Sequence, residues 1–166
     1  MKILLWLSLI PFGIPAVQTL DLHQIRGLYH RAAEVKQDAL QLNHLMSQVN
    51  TSAAPVLICY KGANEMIQAK YALNPITKLD QFNKGKELIK KAFSRDTLNL
   101  EMRFIRFSIQ NNLPSFLGYR DNLDQDKRFL LNNTKASNDP ELQEMIFNYL
   151  SGLALIKPEE LKLLKN

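Results

Sequence analysis

The sequence predicts an all-α protein, and three observations lead to this fold class. Apolar residues recur in steps of three and four along most of the chain, which is the period of one helix face. Proline and asparagine divide these stretches into about six helices, because proline disfavours helical backbone at the residue before it. The one stretch with strand character, residues 56–58, has no partner strand elsewhere. We therefore expect antiparallel helical hairpins.

The N-terminus resembles a secretory signal peptide. Lys2 supplies a positive charge, residues 3–10 form an apolar run, and Pro11 is the first of several helix breakers. The run is too short to cross a bilayer of about 30 Å as a helix. The sequence thus predicts a signal peptide over residues 1–18 and one helical domain over residues 19–166. The alternative is an uncleaved N-terminal anchor or an apolar first helix.

Export predicts a location in the bacterial periplasm or at the cell surface. The chain has one cysteine, which excludes an internal disulfide framework and a cysteine-based zinc site. We expect Cys59 to be a small buried apolar side chain rather than a nucleophile. No later apolar run approaches the roughly 18 residues of a membrane-spanning helix, so we expect no span after signal removal.

The first two predicted helices differ in length. Residues 19–49 carry a continuous apolar stripe and predict one long amphipathic helix with Thr19 as its N-cap. The second helix, over residues 55–73, opens with Pro55 and ends before Pro75.

Four further helices and a short terminal one complete the expected fold. The third starts at Thr77, which is followed three residues later by Asp80 as in a capping box. Leu79 of the third helix and Leu98 beside the fourth are expected to face the core, and Asn99 is the expected N-cap of the fourth. The predicted bounds are 78–95, 100–111, 120–133, 140–153 and 158–164.

Residues 85–99 resemble the second helix and following turn of a tetratricopeptide repeat. Gly85, Ile89 and Ala92 stand four and three apart, like the small, large apolar and alanine positions of that family. Thr97 stands where the family usually has proline, and no second copy occurs at the family's period of about 34 residues. The resemblance implies antiparallel hairpins stacked in a curved, right-handed array.

No catalytic or metal-binding constellation is evident. His23, His30 and His44 fall at multiples of seven on the first predicted helix, so neighbours lie about 10.5 Å apart along the axis and cannot share a metal. Asp121 and Asp124 are typical of charge at a helix start. Glycine-rich phosphate loops are absent. We expect no cofactor and no metal, and we favour a non-enzymatic role while leaving an enzyme open.

The fourth predicted helix has a polar edge formed by Arg103, Arg106 and Gln110. The arginines either pair with internal acids such as Glu65 or Asp126, or line a groove that binds a partner's carboxylate or carbonyl. We favour internal pairing and keep the groove as the candidate site. Its predicted binding residues are Arg103, Arg106, Gln110 and Tyr119.

Positive charge is concentrated in residues 78–106, which hold eight basic and four acidic side chains within a chain of net charge +5. Glu87 interrupts this basic stretch and no stacking aromatics alternate with the lysines, so a solvated face is favoured and nucleic acid is not expected. The residues of this alternative anion site are Lys84, Lys86, Lys90, Lys91 and Arg95.

These observations predict an exported, non-catalytic module that binds a protein or peptide. Two alternatives stay open. One is anion or polyanion binding through the basic third helix, and the other is an enzyme whose site the sequence does not reveal.

Overall fold

A computed structural model describes residues 20–165, and within them the chain forms eight α-helices, one short 3-10 helix at Ser115–Leu117 and no strand. The all-α prediction is confirmed, with eight helices in place of about six. The predicted signal peptide and Thr19 lie outside the described residues. The helices are α1 (Leu22–Ala32), α2 (Lys36–Ser47), α3 (Pro55–Tyr71), α4 (Pro75–Arg95), α5 (Leu100–Asn112), α6 (Leu123–Asn133), α7 (Pro140–Ser151) and α8 (Pro158–Lys165).

The prediction of one long helix over residues 19–49 is wrong. The chain turns between α1 and α2, and Val35 adopts an extended conformation with φ −108° and ψ 106°. Ile25 of α1 and Leu42 of α2 nevertheless lie in the same core, so the apolar stripe runs on through the turn. Asp21 is the N-cap of α1, and its carboxylate accepts a hydrogen bond from the His23 N–H at 3.0 Å.

Side-chain caps set the starts of α4 and α5. Asn99 caps α5 as predicted and accepts a hydrogen bond from the Met102 N–H at 3.0 Å. The predicted start of the next helix back at Thr77 is wrong, because α4 begins at Pro75. Asn74 accepts from the Ile76 N–H at 2.8 Å, so the Asn–Pro pair that follows α3 opens α4.

Two apolar cores meet at α5. The first is built from α1 to α4 and includes Met102 and Ile105 on one side of α5. The second is built from α6, α7 and the segment before α8, with Phe104 and Phe107 on the other side of α5, and α8 packs against it. Because α5 contributes to both cores, it fixes the position of the C-terminal helices relative to the N-terminal ones.

The hairpin of α3 and α4 is the most extensive helix pair, and α3 also packs against α5. Gly62 and Gly85 lie at the closest approach of the hairpin. Within residues 20–165, no helix is both long enough and apolar enough to cross a bilayer.

Candidate functional site

Arg103 and Arg106 bind the same carboxylate in the interior. Arg103 Nη1 donates to Asp126 Oδ1 at 2.7 Å, and Arg106 Nε donates to Oδ2 at 2.6 Å. The Asp126 side chain is fully buried. Arg103 Nε and Nη2 both donate to the Thr97 carbonyl, at 3.0 and 2.8 Å. The internal pairing with Asp126 is thus formed, whereas Glu65 pairs elsewhere.

The other two predicted binding residues also lie inside the fold. Gln110 is fully buried, and its amide oxygen accepts a hydrogen bond from the Asn122 N–H at 3.2 Å. Tyr119 packs edge-on against Phe82, with ring centroids 6.1 Å apart. Burial raises the pKa of Tyr119 to about 12. The structure therefore brings these two residues close to the arginine pair but exposes none of the four fully to solvent.

Three of the five basic residues predicted as the alternative anion site have separate partners. Lys84 Nζ pairs with a Glu65 carboxylate oxygen at 2.8 Å, and Arg95 Nη1 donates to the Ala53 carbonyl at 2.7 Å. Lys86 Nζ lies 5.4 Å from the centroid of the Tyr119 ring. The remaining two, Lys90 and Lys91, are exposed. Four of the five are therefore exposed, but only Lys90 and Lys91 lack a partner that an anion would have to displace.

An apolar groove with a volume of about 770 Å³ opens on the face of α5 opposite to Arg103 and Arg106. At about 100° per residue, Phe104, Ser108 and Asn112 point into the groove while the arginines point away from it. The end of α1, the helices α3, α4 and α7, and the segment after α5 form the rest of its wall. Its main apolar wall residues are Met66, Ile67, Leu79, Phe82, Ile109 and Leu117.

The polar groups on the groove floor are paired with one another. The Tyr29 hydroxyl bonds to Ser108 Oγ at 2.8 Å, and Ser108 Oγ donates to the Ile105 carbonyl at 2.9 Å. Asn112 Nδ2 donates to the Ser108 carbonyl at 2.9 Å and to the Tyr149 hydroxyl at 3.0 Å. Burial raises the pKa of Tyr29 and of Tyr149, so both phenols are neutral at pH 7. The floor therefore leaves a ligand few polar groups to bind.

Charge on the groove rim is of one sign. The charged side chains exposed there are Lys70 and Lys78, and no Asp or Glu is found among the described residues that line the groove. Lys70 Nζ donates to the Ala33 carbonyl, whereas the Lys78 ammonium group makes no ion pair or hydrogen bond with any residue in the described range. The electrostatic potential at this rim thus favours an anionic partner.

Large apolar side chains also extend past the rim. Phe116 of the 3-10 helix is 84% exposed and Leu79 of α4 is 55% exposed. Leu79 and Leu98 were predicted to face the core, and both are exposed. Leu79 belongs to the apolar stripe of α4, but no further helix packs on it. It therefore forms part of the groove wall.

A polar cluster around Arg26 is not predicted by any pattern in the sequence. Arg26 of α1 binds Glu101 of α5 through two hydrogen bonds of 2.7 Å, and it also binds Asp139 at 2.6 Å and Glu141 at 2.7 Å. Tyr60 donates to Glu101 at 2.6 Å. These partners are far apart in the sequence, and no local motif marks them. The cluster joins α1 to α5 and α7, and it does not line the groove.

The described residues contain neither a metal-binding cluster nor a reactive thiol. Among residues 20–165, no three His, Cys, Asp or Glu side chains are grouped closely enough to hold a metal ion. Cys59 is fully buried, and burial raises the pKa of its thiol, which keeps it protonated and unreactive at pH 7.

Comparison of the chain with known family models, curated proteins and solved structures finds no match. The resemblance of residues 85–99 to the tetratricopeptide family is therefore not accompanied by a family assignment. Arguments about function rest on the geometry of the groove and its rim.

Proposed function

We propose that this protein is a non-catalytic interaction module that binds an apolar segment of a partner protein in the groove beside α5. The observation that carries the proposal is the groove itself, with its apolar walls and the exposed Leu79 and Phe116 at its edge. Apolar surface of this kind is unfavourable in water, and a partner that covers it gains the free energy of burial.

The chemistry inside the groove supports binding rather than catalysis. Its hydroxyl and amide groups are hydrogen-bonded to each other, and its ionisable side chains are two neutral phenols, His30 and the two lysines of the rim. In the described part of the groove no nucleophile stands beside a base, which is the arrangement that most hydrolytic sites require.

Two finer predictions belong to the same proposal. We infer that α3, α4 and α5 are arranged like successive tetratricopeptide helices, supported by the burial of Gly85, Ile89 and Ala92 and by the packing of α3 on both neighbours. We also infer export to the periplasm or cell surface, supported by the apolar run at residues 3–10.

The test uses a fluorescein-labelled helical peptide of about 18 residues (~5 turns) with leucines along one face and glutamines along the other. Fluorescence anisotropy should show saturable binding to residues 19–166. Ala33→Trp, at an exposed position of the groove wall, should weaken that binding at least about tenfold, because the indole occupies the site.

Ala154→Trp is the matched control, because Ala154 is also exposed and does not line the groove. It should bind like the native protein, and circular dichroism should show both variants folded. Absence of saturable binding, or equal binding by the two tryptophan variants, would overturn the proposal.

A further inference from the structure

The structure assigns to this groove an amphipathic α-helix whose apolar face is flanked by acidic side chains. This inference rests on the proposed function and specifies the partner segment. Three features of the groove lead to it: the state of its polar groups, its dimensions and the charge of its rim.

The paired polar groups favour a helix over an extended peptide. An extended peptide would bring its own N–H and C=O groups against apolar walls, where an unpaired polar group costs free energy. The groove offers it little in return, because Tyr29, Ser108 and Asn112 already bond to one another or to the backbone. A helix satisfies its backbone internally and presents only side chains.

The dimensions match two helical turns. The wall runs from Ala63 to Lys70 along α3, from Pro75 to Phe82 along α4 and from Phe104 to Asn112 along α5. Each stretch is about 10–12 Å long at a rise of ~1.5 Å per residue. Helices that dock in grooves use anchors at i, i+3 or i+4, and i+7, which cover this length.

The apolar surface is also wider than the cavity. Phe116 and Leu79 extend over the rim, and Ile76, one helical position beyond Pro75, is 70% exposed. A small amphiphile inside the cavity would leave these side chains in water, whereas a helix of about 10–12 Å diameter lying on the groove would cover part of them.

The rim charges then select the flanks of that helix. The Lys78 side chain is exposed and has no hydrogen-bond or ion-pair partner in the described range, and Lys70 lies on the same rim without an acid among the lining residues. Acidic side chains beside the apolar face meet these cations, and basic ones are repelled.

Three labelled peptides with one leucine face and flanks of Glu, Gln or Lys test the inference. The Glu peptide should bind about 3–10-fold more tightly than the Gln peptide, and the Lys peptide should bind most weakly. Lys78→Glu should remove or reverse this order. Lys91→Glu, an equally exposed change on the distant end of α4, should preserve it.

The outcomes separate this inference from the proposed function. Equal binding of the three peptides by the native protein would overturn the inference and leave the function standing, whereas binding of none would overturn the function. A variant of the Glu peptide with proline substituted in its middle cannot form a continuous helix. If it bound as tightly, the inference that the partner segment is helical would be overturned. Tighter, competing binding of monomeric decanoate would do so as well, because it would assign the groove to a small amphiphile.

Discussion

Gly62 of α3 and Gly85 of α4 face each other so closely that neither position has room for a side chain. A Cβ atom added to Gly62 would lie 2.8 Å from the Gly85 carbonyl oxygen, and one added to Gly85 would lie 2.7 Å from the Gly62 carbonyl oxygen. Both obstacles are backbone atoms, so they cannot be relieved by a rotamer change. The hairpin would have to open, and with it the α3 and α4 walls of the groove.

Gly62→Ala is therefore expected to lower the free energy of unfolding by about 1–3 kcal/mol, the usual cost of overpacking, despite the better helix propensity of alanine. Urea denaturation followed by circular dichroism measures the change. Gly27→Ala is the control on α1, where a Cβ would meet only Arg31 Nη1 at 3.7 Å, an ordinary contact. Gly27→Ala should be neutral or stabilising by up to about 1 kcal/mol, and an equal loss in both variants would contradict the packing argument.

Removing the Asp126 charge is expected to destabilise the junction between α5 and α6. Asp126→Asn leaves Arg103 and Arg106 buried together without their counter-charge, which should cost about 3–5 kcal/mol in the free energy of unfolding. Asp124→Asn, at an exposed position of the same helix, should change it by less than about 0.5 kcal/mol. Similar denaturation midpoints for the two variants would show that the arginines are not structural.

The Arg26 cluster should make the protein sensitive to acid. Hydrogen bonds from Arg26 lower the pKa of Asp139 and of Glu141 below the ordinary values of about 3.9 and 4.3. A carboxylate whose pKa is lowered by folding stabilises the protein above its unfolded pKa and loses that contribution as the pH falls through the folded value. Thermal unfolding should therefore show a fall in stability below about pH 4.

The double variant Asp139→Asn plus Glu141→Gln isolates this effect. It should be less stable than the native protein at neutral pH, and the difference should shrink towards zero as the pH falls below about 3. Both side chains are about two-fifths exposed, so solvent screening keeps the contribution modest. A difference that stays constant from about pH 7 to 3 would contradict the assignment.

Local chemistry explains which parts of the fold could be predicted. Asn99 and Pro55 stand at helix starts because a side-chain acceptor and a fixed φ are favourable there, whatever the rest of the chain does. The turn between α1 and α2 was missed because it contains neither glycine nor proline and both helices face one core. Helical periodicity alone cannot detect such a break.

The candidate site was harder to predict, because the sequence does not show which apolar helix faces are left uncovered by other helices. Leu79 and Phe82 have the same spacing whether a further helix packs on them or not, and the structure buries Phe82 while leaving Leu79 exposed. The arginines of α5 were recognised as needing acceptors, and Asp126 was among those proposed. The cluster around Arg26 depends on contacts over 75 to 115 residues, for which a single sequence carries no signal.

The sequence separation between Arg26 and its partners also affects the order in which native contacts form. Arg26 precedes Glu141 by 115 residues. At about 5–20 residues per second, the ribosome therefore adds Glu141 roughly 6–23 s after Arg26. Closing so long a loop is slow and entropically costly compared with forming the α3–α4 hairpin. The contacts of Arg26 with α7 are thus expected to form later than the packing of α1 on the adjacent α2.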